Sequence, residues 1–260
     1  MLNETTFSQL LSDAITKPGM ISSAYSAFYG YSIGNRLLAW AQCMSRDIPV
    51  GPIATFMGWK DKGRFVKKGA KAIMLCMPVA GKRKATEEGE EDSTYTRFVF
   101  RNNWFVLAQT EGDDVTLPAL PEWDAALALT TLDISLIEFT LMDGNCQGFA
   151  RERSVSVSPL AALPHKTLFH ELAHVVLGHT AEGLLSDDDR TPRSMREVEA
   201  ESVALVCCEA LGLPGAEFSR GYIQSWNQTA EPIGERSAQR IFKAADQILK
   251  AGHPKEAKES

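Results

Sequence analysis

At 260 residues, 44% hydrophobic and 23% charged, the chain has material for one large or two medium globular domains. No apolar run approaches the ~20 residues of a membrane span. The first residues lack the basic and apolar regions of a signal peptide, and the five cysteines form no CxxC, so reduced thiols and a cytoplasmic location are expected. The net charge of −6 argues against a nucleic-acid partner, but the distribution of that charge argues for one.

Between Ile33 and Lys84 there are eleven Lys/Arg and two acids, Asp47 and Asp61, so this window carries about +9. Aromatics are interleaved: Trp40, Phe56, Trp59 and Phe65 among Arg36, Lys60, Lys62, Arg64, Lys67, Lys68 and Lys71. Basic grooves track phosphates and aromatic faces stack on unpaired bases, at ~1–3 kcal/mol per base. The pattern favours single-stranded over duplex DNA, and its alternative is a solvated basic loop beside buried tryptophans. Ala72–Met77 and Tyr95–Val99 read as strands, separated by the acidic run Glu87–Asp92, which reads as a solvated loop. Leu117-Pro118-Ala119-Leu120-Pro121 is the best boundary, giving domains over residues 1–120 and 121–260.

In the second half, Asp143-Gly144 between the apolar runs Glu138–Met142 and Asn145–Ala150 is a hairpin signal. Ser154-Val155-Ser156-Val157-Ser158 alternates strictly and ends at Pro159, as a half-buried strand does. Such a strand is either an ordinary sheet edge or one on which an extended peptide is held.

A helix follows from Pro164 to a stop at Gly178, with Leu168, Leu172 and Val175 as its apolar stripe. It contains His170-Glu171-Leu172-Ala173-His174, an HExxH. Residues four apart lie on one helical face, so His170 and His174 can bind one Zn²⁺ while Glu171 serves a metal-bound water as general base. Leu177 and Thr180 stand where a metzincin has its glycine and third histidine, so the third ligand is expected on the next helix. That helix opens at Ser194, with Glu197 as its capping-box partner, and runs to about Gly212. Glu199 and Glu201 are the candidates. Glu199 is preferred because Ser202, Val203 and Val206 make its face largely apolar, and a carboxylate there needs a partner. His179 is expected in a capping or supporting role, and His165 exposed. Tyr222 and His179 are the available oxyanion partners.

Three stretches resemble the N-terminal domain of ArdC-type antirestriction proteins: Tyr31-Ser32-Ile33-Gly34-Asn35-Arg36-Leu37-Leu38, then residues 51–60 (GPIATFMGWK), then residues 63–72 (GRFVKKGAKA). Trp104–Thr110, Asp143-Gly144-Asn145 and Lys166–Thr180 resemble the rest of that family, so the likeness spans roughly residues 25–245. It implies an α+β protein: a single-stranded-DNA-binding domain, with Asn35 and Arg36 among its contacts, followed by a zincin-like metallopeptidase domain. It also implies a role on mobile genetic elements, shielding incoming DNA from restriction. Expected contacts to DNA are therefore Asn35, Arg36, Trp59, Lys60, Arg64, Lys67, Lys68 and Lys71. The expected cofactor is one Zn²⁺ per chain, or another divalent ion, on His170, His174 and Glu199. Two other functions fit the same residues: a regulatory HExxH metalloprotease that cleaves a repressor or host protein, and a non-enzymatic DNA-binding protein with a structural metal.

Overall fold

The computed structural model describes residues 6–83, 93–116, 120–141, 146–181, 192–229 and 232–254. Helices α1 (Phe7–Thr16), α2 (Met20–Ala27) and α3 (Ile33–Ser45) open it. Each carries apolar residues at helical spacing, as in Leu10, Leu11, Ala14 and Ile15 of α1, and each buries that stripe. Thr6 caps α1 by accepting from Gln9 N. The N-terminus of α3 is capped from a distance: Asp246 Oδ1 accepts from Ile33 N at 3.0 Å.

The middle of the chain is mostly sheet. Strands β1 (Ile53–Thr55), β3 (Ile73–Arg83) and β4 (Ser93–Val106) form an antiparallel sheet in the order β1-β4-β3. Helix α4 (Phe56–Lys60) follows β1, and β2 (Arg64–Val66) pairs with β5 (Thr110–Gly112). A bulge between Ile73 and Met74 shifts the register of β3 and β4, so Phe98 and Phe100 face one side opposite Pro78 and Cys76. The strand expected at Ala72–Met77 thus extends to Arg83, and the one expected at Tyr95–Val99 reaches Val106. The acidic run Glu87–Asp92 and residues 117–119 of the expected boundary lie outside the described residues.

Helix α5 (Ala125–Leu132) leads to a second small sheet of β6 (Ser135–Leu136), β7 (Gly148–Arg151) and β8 (Ser154–Val157), in the order β6-β8-β7. The expected strand at Ser154–Ser158 is β8. A hairpin joins β7 to β8 through Glu152, whose φ of 52° turns the chain, and the hairpin turn expected at Asp143-Gly144 falls outside the described residues. Residues 142–145 lie outside the described set. Before them, Phe139 packs on the ring of Phe149, and Ile137 bonds β8 through Val155 O.

Helices α6 (Pro164–Val176), α7 (Arg193–Ala210), α8 (Ala216–Thr229) and α9 (Glu235–Ala251) complete the fold. Every residue of α7 from Val198 to Ala210 is buried, which makes it the central helix. α6, α8, α9 and α2 all pack on it. One apolar core therefore runs from Leu10 and Leu37 to Val203 and Ile241. A buried ion pair ties the two ends of the chain together. Glu209 accepts from Gly19 N and Ile21 N at 2.7 and 3.2 Å, and Arg220 bonds both Glu209 and the carbonyls of Ala14 and Ile15. The architecture is α+β. No described helix is long and apolar enough to cross a membrane.

Candidate metal centre and basic face

Helix α6 is built as its sequence suggests. Pro164 takes the first turn, and Phe169, Leu172, Ala173 and Val175 are buried against the core. Gly178, at φ 77°, reverses the chain, and His179 N bonds back to His174 O at 2.8 Å. The reversal stacks the His179 ring edge-on to His174, with centroids 5.2 Å apart.

The HExxH histidines converge. His170 Nε2 and His174 Nε2 are 3.1 Å apart. Glu197 Oε2 lies 3.4 Å from the first and 3.6 Å from the second. Among the described residues these three side chains place one ligand atom each within 4.8 Å of one another, as a shared metal ion requires. Two imidazole nitrogens and a carboxylate oxygen are a common donor set for zinc and for other divalent ions.

The carboxylate that the structure brings to the two histidines is Glu197, whereas the sequence favours Glu199. Glu199 is fully buried, but its Oε2 is 2.9 Å from His179 Nε2, and Arg240 lies 3.4 Å from its other oxygen. Its charge partners belong to the protein, so its apolar surroundings do not call for a metal. Glu201 is committed as well: Oε2 meets His170 Nδ1 at 2.9 Å and Oε1 meets Lys166 Nζ at 2.6 Å. The capping box expected of Ser194 and Glu197 does not form. α7 starts at Arg193 with no side-chain cap, and the Glu197 carboxylate turns to the histidines instead. Glu197 lies one turn before Glu201 on the same face of α7, so both carboxylates reach His170.

The charges in this cluster are tightly linked. Bonds from His170 and His174 hold the Glu197 carboxyl far below the usual range. Burial works against charge on His170, but Glu197 and Glu201 outweigh it and push the ring up to about 9. Burial also works to raise Glu201, and its bonds to His170 and Lys166 bring it down to about 2. Glu171 goes the other way: it is 7% exposed, and burial lifts its carboxyl above the ordinary value despite the two histidines. Glu171 faces β7 at its closest point. A Cβ on Gly148 would lie 3.1 Å from Glu171 Oε1, 2.6 Å from Thr167 Cγ2 and 2.8 Å from Ser156 O, so only glycine lets the strand approach. Of the two oxyanion candidates, His179 is occupied by His174 and Glu199. Tyr222, 47% exposed on α8, has its hydroxyl raised by burial and by the charges of Glu197 and Glu201. His165, expected to be exposed, is half-buried with Nε2 2.9 Å from Pro214 O.

The eight residues expected to contact DNA separate into two groups. Trp59 is 1% exposed, and its Nε1 donates to Phe105 O at 2.8 Å. Arg36 is 5% exposed, donates to Tyr31 O and Tyr25 O, and lies 4.1 Å over the Tyr25 ring. Asn35 clamps the backbone of Cys76 through both ends of its amide. Arg64 spends its guanidinium on Thr110, Gly112 and Asp113. The side chains of these four are engaged within the fold. Lys60, Lys67, Lys68 and Lys71 are exposed, although Lys67 also donates to Ala108 O. The exposed aromatics are others: Phe56 and Phe65, and on β4 Phe98 and Phe100, at 70% and 51%. Arg97 and Arg101 beside them are exposed too. The signal for the β4 pair was available in the run Arg97-Phe98-Val99-Phe100-Arg101, where apolar residues take both faces of one strand.

Residues 13–105 match the family model described as the N-terminal domain of anti-restriction factor ArdC. Over nearly its whole length the chain superposes on a crystal structure of the antirestriction ArdC protein from the R388 plasmid in metal-free form. The TM-score is 0.56, with 19% identity, 95% of this chain and 94% of that one. Residues 13–105 are thus similar to the ArdC N-terminal domain, and the chain as a whole shares the fold of the R388 protein. The Mn(II)-bound structure of the same plasmid protein matches with a TM-score of 0.53 and 18% identity, covering 96% of this chain and 98% of that one. No curated protein sequence matches. In the ArdC-type fold the matched N-terminal region comprises α1 to β4, and the histidine cluster lies outside it, on α6 and α7.

Proposed function

We propose that this protein binds single-stranded DNA through its basic N-terminal face and holds one divalent metal ion on His170, His174 and Glu197, acting against restriction of incoming DNA. The observation that carries the metal half is the convergence of His170 Nε2, His174 Nε2 and Glu197 Oε2 on one point. The residues fit a cation well, because two imidazole nitrogens 3.1 Å apart and a carboxylate oxygen can all offer lone pairs to one ion. That the R388 ArdC protein has a Mn(II)-bound form supports a divalent ion. Zinc is the ion this donor set most often takes.

His170, His174 and Glu197 would hold the ion, which when bound would supply Lewis-acid chemistry to a water or a carbonyl. Glu171, buried beside the pair with its carboxyl raised, is placed to take up a proton and return it. β7 is an outer strand of its sheet and its Gly148 lies against Glu171, a placement that suits an extended peptide. This geometry favours peptide hydrolysis as a second reading of the α6–α7 half.

Support for DNA binding comes from Phe56, Phe65, Phe98 and Phe100, all exposed in a region that also presents Lys60, Lys62, Lys67, Lys68, Lys71, Arg97 and Arg101. Flat apolar rings in a basic surface are what single-stranded nucleic acid stacks on. The decisive experiment pairs elemental analysis of the purified protein with fluorescence-anisotropy titrations of single-stranded and duplex oligonucleotides. About one divalent ion per chain and a preference for the single strand are expected. A metal-free preparation that takes up neither Zn²⁺ nor Mn²⁺, or equal binding to a blunt duplex, would overturn the corresponding half.

A further inference from the structure

We propose that Glu201, and Glu199 acting through His179, are positioning residues that fix the tautomers of His170 and His174 so that both Nε2 lone pairs face the metal. The inference rests on the metal reading above. A neutral imidazole has one N–H and one lone pair. A histidine that ligates through Nε2 therefore carries its proton on Nδ1 and needs an acceptor there.

His170 has that acceptor directly. Its Nδ1 lies 2.9 Å from Glu201 Oε2, and Lys166 Nζ, 2.6 Å from Oε1, holds the carboxylate from behind. On the His174 side the acceptor is one residue further away. His174 Nδ1 faces another histidine, with His179 Nδ1 at 3.1 Å. If His174 donates there, His179 must present a lone pair at Nδ1 and carry its own proton on Nε2. That proton meets Glu199 Oε2 at 2.9 Å. A carboxylate only accepts, so it sets the direction of both bonds: His179 Nε2–H donates to Glu199, and His174 Nδ1–H donates to His179. The alternative direction would put the proton of His174 on Nε2, where it would block the metal.

Local structure holds the relay in place. Gly178 turns the chain so that His179 comes back over His174, and Arg196 of α7 donates to His179 O at 3.2 Å. Glu199 is fully buried, with Arg240 3.4 Å from its second oxygen. Helix α7 thus supplies the ligand Glu197 and, two and four residues on, the carboxylates that orient the histidines.

The test uses the full-length protein, Zn²⁺ titrations by calorimetry, and long-range proton–nitrogen NMR of the histidine rings. In the Zn²⁺-loaded protein His170 and His174 should show Nδ1–H, and His179 should show Nε2–H. Glu201→Leu and His179→Phe should each weaken Zn²⁺ binding roughly 10–100-fold, with Glu201→Gln and Glu199→Gln recovering most of it because an amide oxygen still accepts. Without metal, His179→Phe should let part of the His174 population move its proton to Nε2, a change that a purely structural role would not produce. A proton on His179 Nδ1 would overturn the proposal. So would unchanged Zn²⁺ affinity in Glu201→Leu and His179→Phe proteins that still melt cooperatively. If either variant fails to fold, the ring spectrum of the unmutated protein decides. If the unmutated protein binds no Zn²⁺, the metal reading falls separately, and the tautomers of His174 and His179 in the metal-free spectrum still decide this one.

Discussion

His170 Nε2 and His174 Nε2 face each other at 3.1 Å with the Glu197 carboxylate within 3.6 Å of both. The space between two such nitrogens takes either a metal ion or the hydrogen of one ring's N–H. With His170 pushed up to about 9 in the metal-free chain, a proton occupies the site at neutral pH, and a metal must displace it.

Metal binding should therefore release close to one proton per chain at pH 7, and affinity should rise with pH until about 9. Calorimetry in two buffers of different ionisation enthalpy reads the proton directly. The sign for stability follows from the same shift. His170 is raised above its unfolded value of 6.5, so its contribution is fully present below that pH and is lost as pH rises through about 9. The metal-free protein should melt at lower temperature at pH 9 than at pH 6.5, and saturating metal should narrow the difference. A metal affinity that does not change between pH 6 and pH 9 would contradict the shared-proton site.

Glu197 and Glu199 should respond differently to truncation. The Glu197 side chain is 37% exposed and points to the histidines, so Glu197→Ala should abolish metal binding and move the melting temperature little. Glu199 is fully buried between His179 and Arg240. Glu199→Ala removes the buried acceptor that faces His179 Nε2 and one charge near Arg240, so it should lower the melting temperature clearly more than Glu197→Ala does. Glu171→Gln should retain the metal, since Glu171 is not among the converging ligands. Elemental analysis and thermal melts of the three variants check this. Full metal retention in Glu197→Ala would return the third-ligand role to another residue.

Much of this centre was legible in the chain. The HExxH, Pro164 and Gly178 define α6, and β8 follows from strict alternation. The convergence of Glu197 was not legible, because apolar neighbours single out Glu199, whose partner His179 reaches it only because Gly178 reverses the chain. Glu197 fits a capping box in sequence, and tertiary contacts override it. The basic window is hard to read for a similar reason. Trp59 and Arg64 are local neighbours of exposed lysines, yet their fate is set by strands some 46 residues away, through Phe105 and Thr110. Composition identifies a basic aromatic region and does not tell which aromatics close the sheet.

Gly148→Ala probes the approach of β7 to Glu171. The added methyl would meet Thr167 Cγ2 at 2.6 Å and Ser156 O at 2.8 Å, both from packed elements that give little. Overpacking of this kind costs about 1–3 kcal/mol. Because Glu171 Oε1 is the third neighbour, at 3.1 Å, the variant should also displace the carboxylate while His170 and His174 keep the metal. We expect a lower melting temperature with metal content unchanged. An unaltered melt would mean that the strand stands further from α6 than described.

The last prediction separates stacking from charge on the N-terminal face. Phe98→Ala with Phe100→Ala removes two exposed rings from one face of β4 and leaves the core untouched. At ~1–3 kcal/mol per stacked base, single-stranded DNA binding should weaken by one order of magnitude or more, with the slope of log affinity against log salt unchanged. Lys67→Ala with Lys68→Ala and Lys71→Ala should flatten that slope, because each lost phosphate contact removes ~0.7 from it for a single strand. Trp59→Ala is the contrasting variant. The ring is 1% exposed and its Nε1 is bonded to Phe105 O, so truncation should cost about 3–5 kcal/mol of stability, and any loss of binding should track unfolding. Anisotropy titrations across a salt series, run beside thermal melts, distinguish the three behaviours. If protection of DNA from restriction follows the β4 and lysine variants while Glu171→Gln protects normally, strand coating accounts for it. If Glu171→Gln loses protection with DNA binding and metal content intact, hydrolysis at the α6–α7 centre is the working activity.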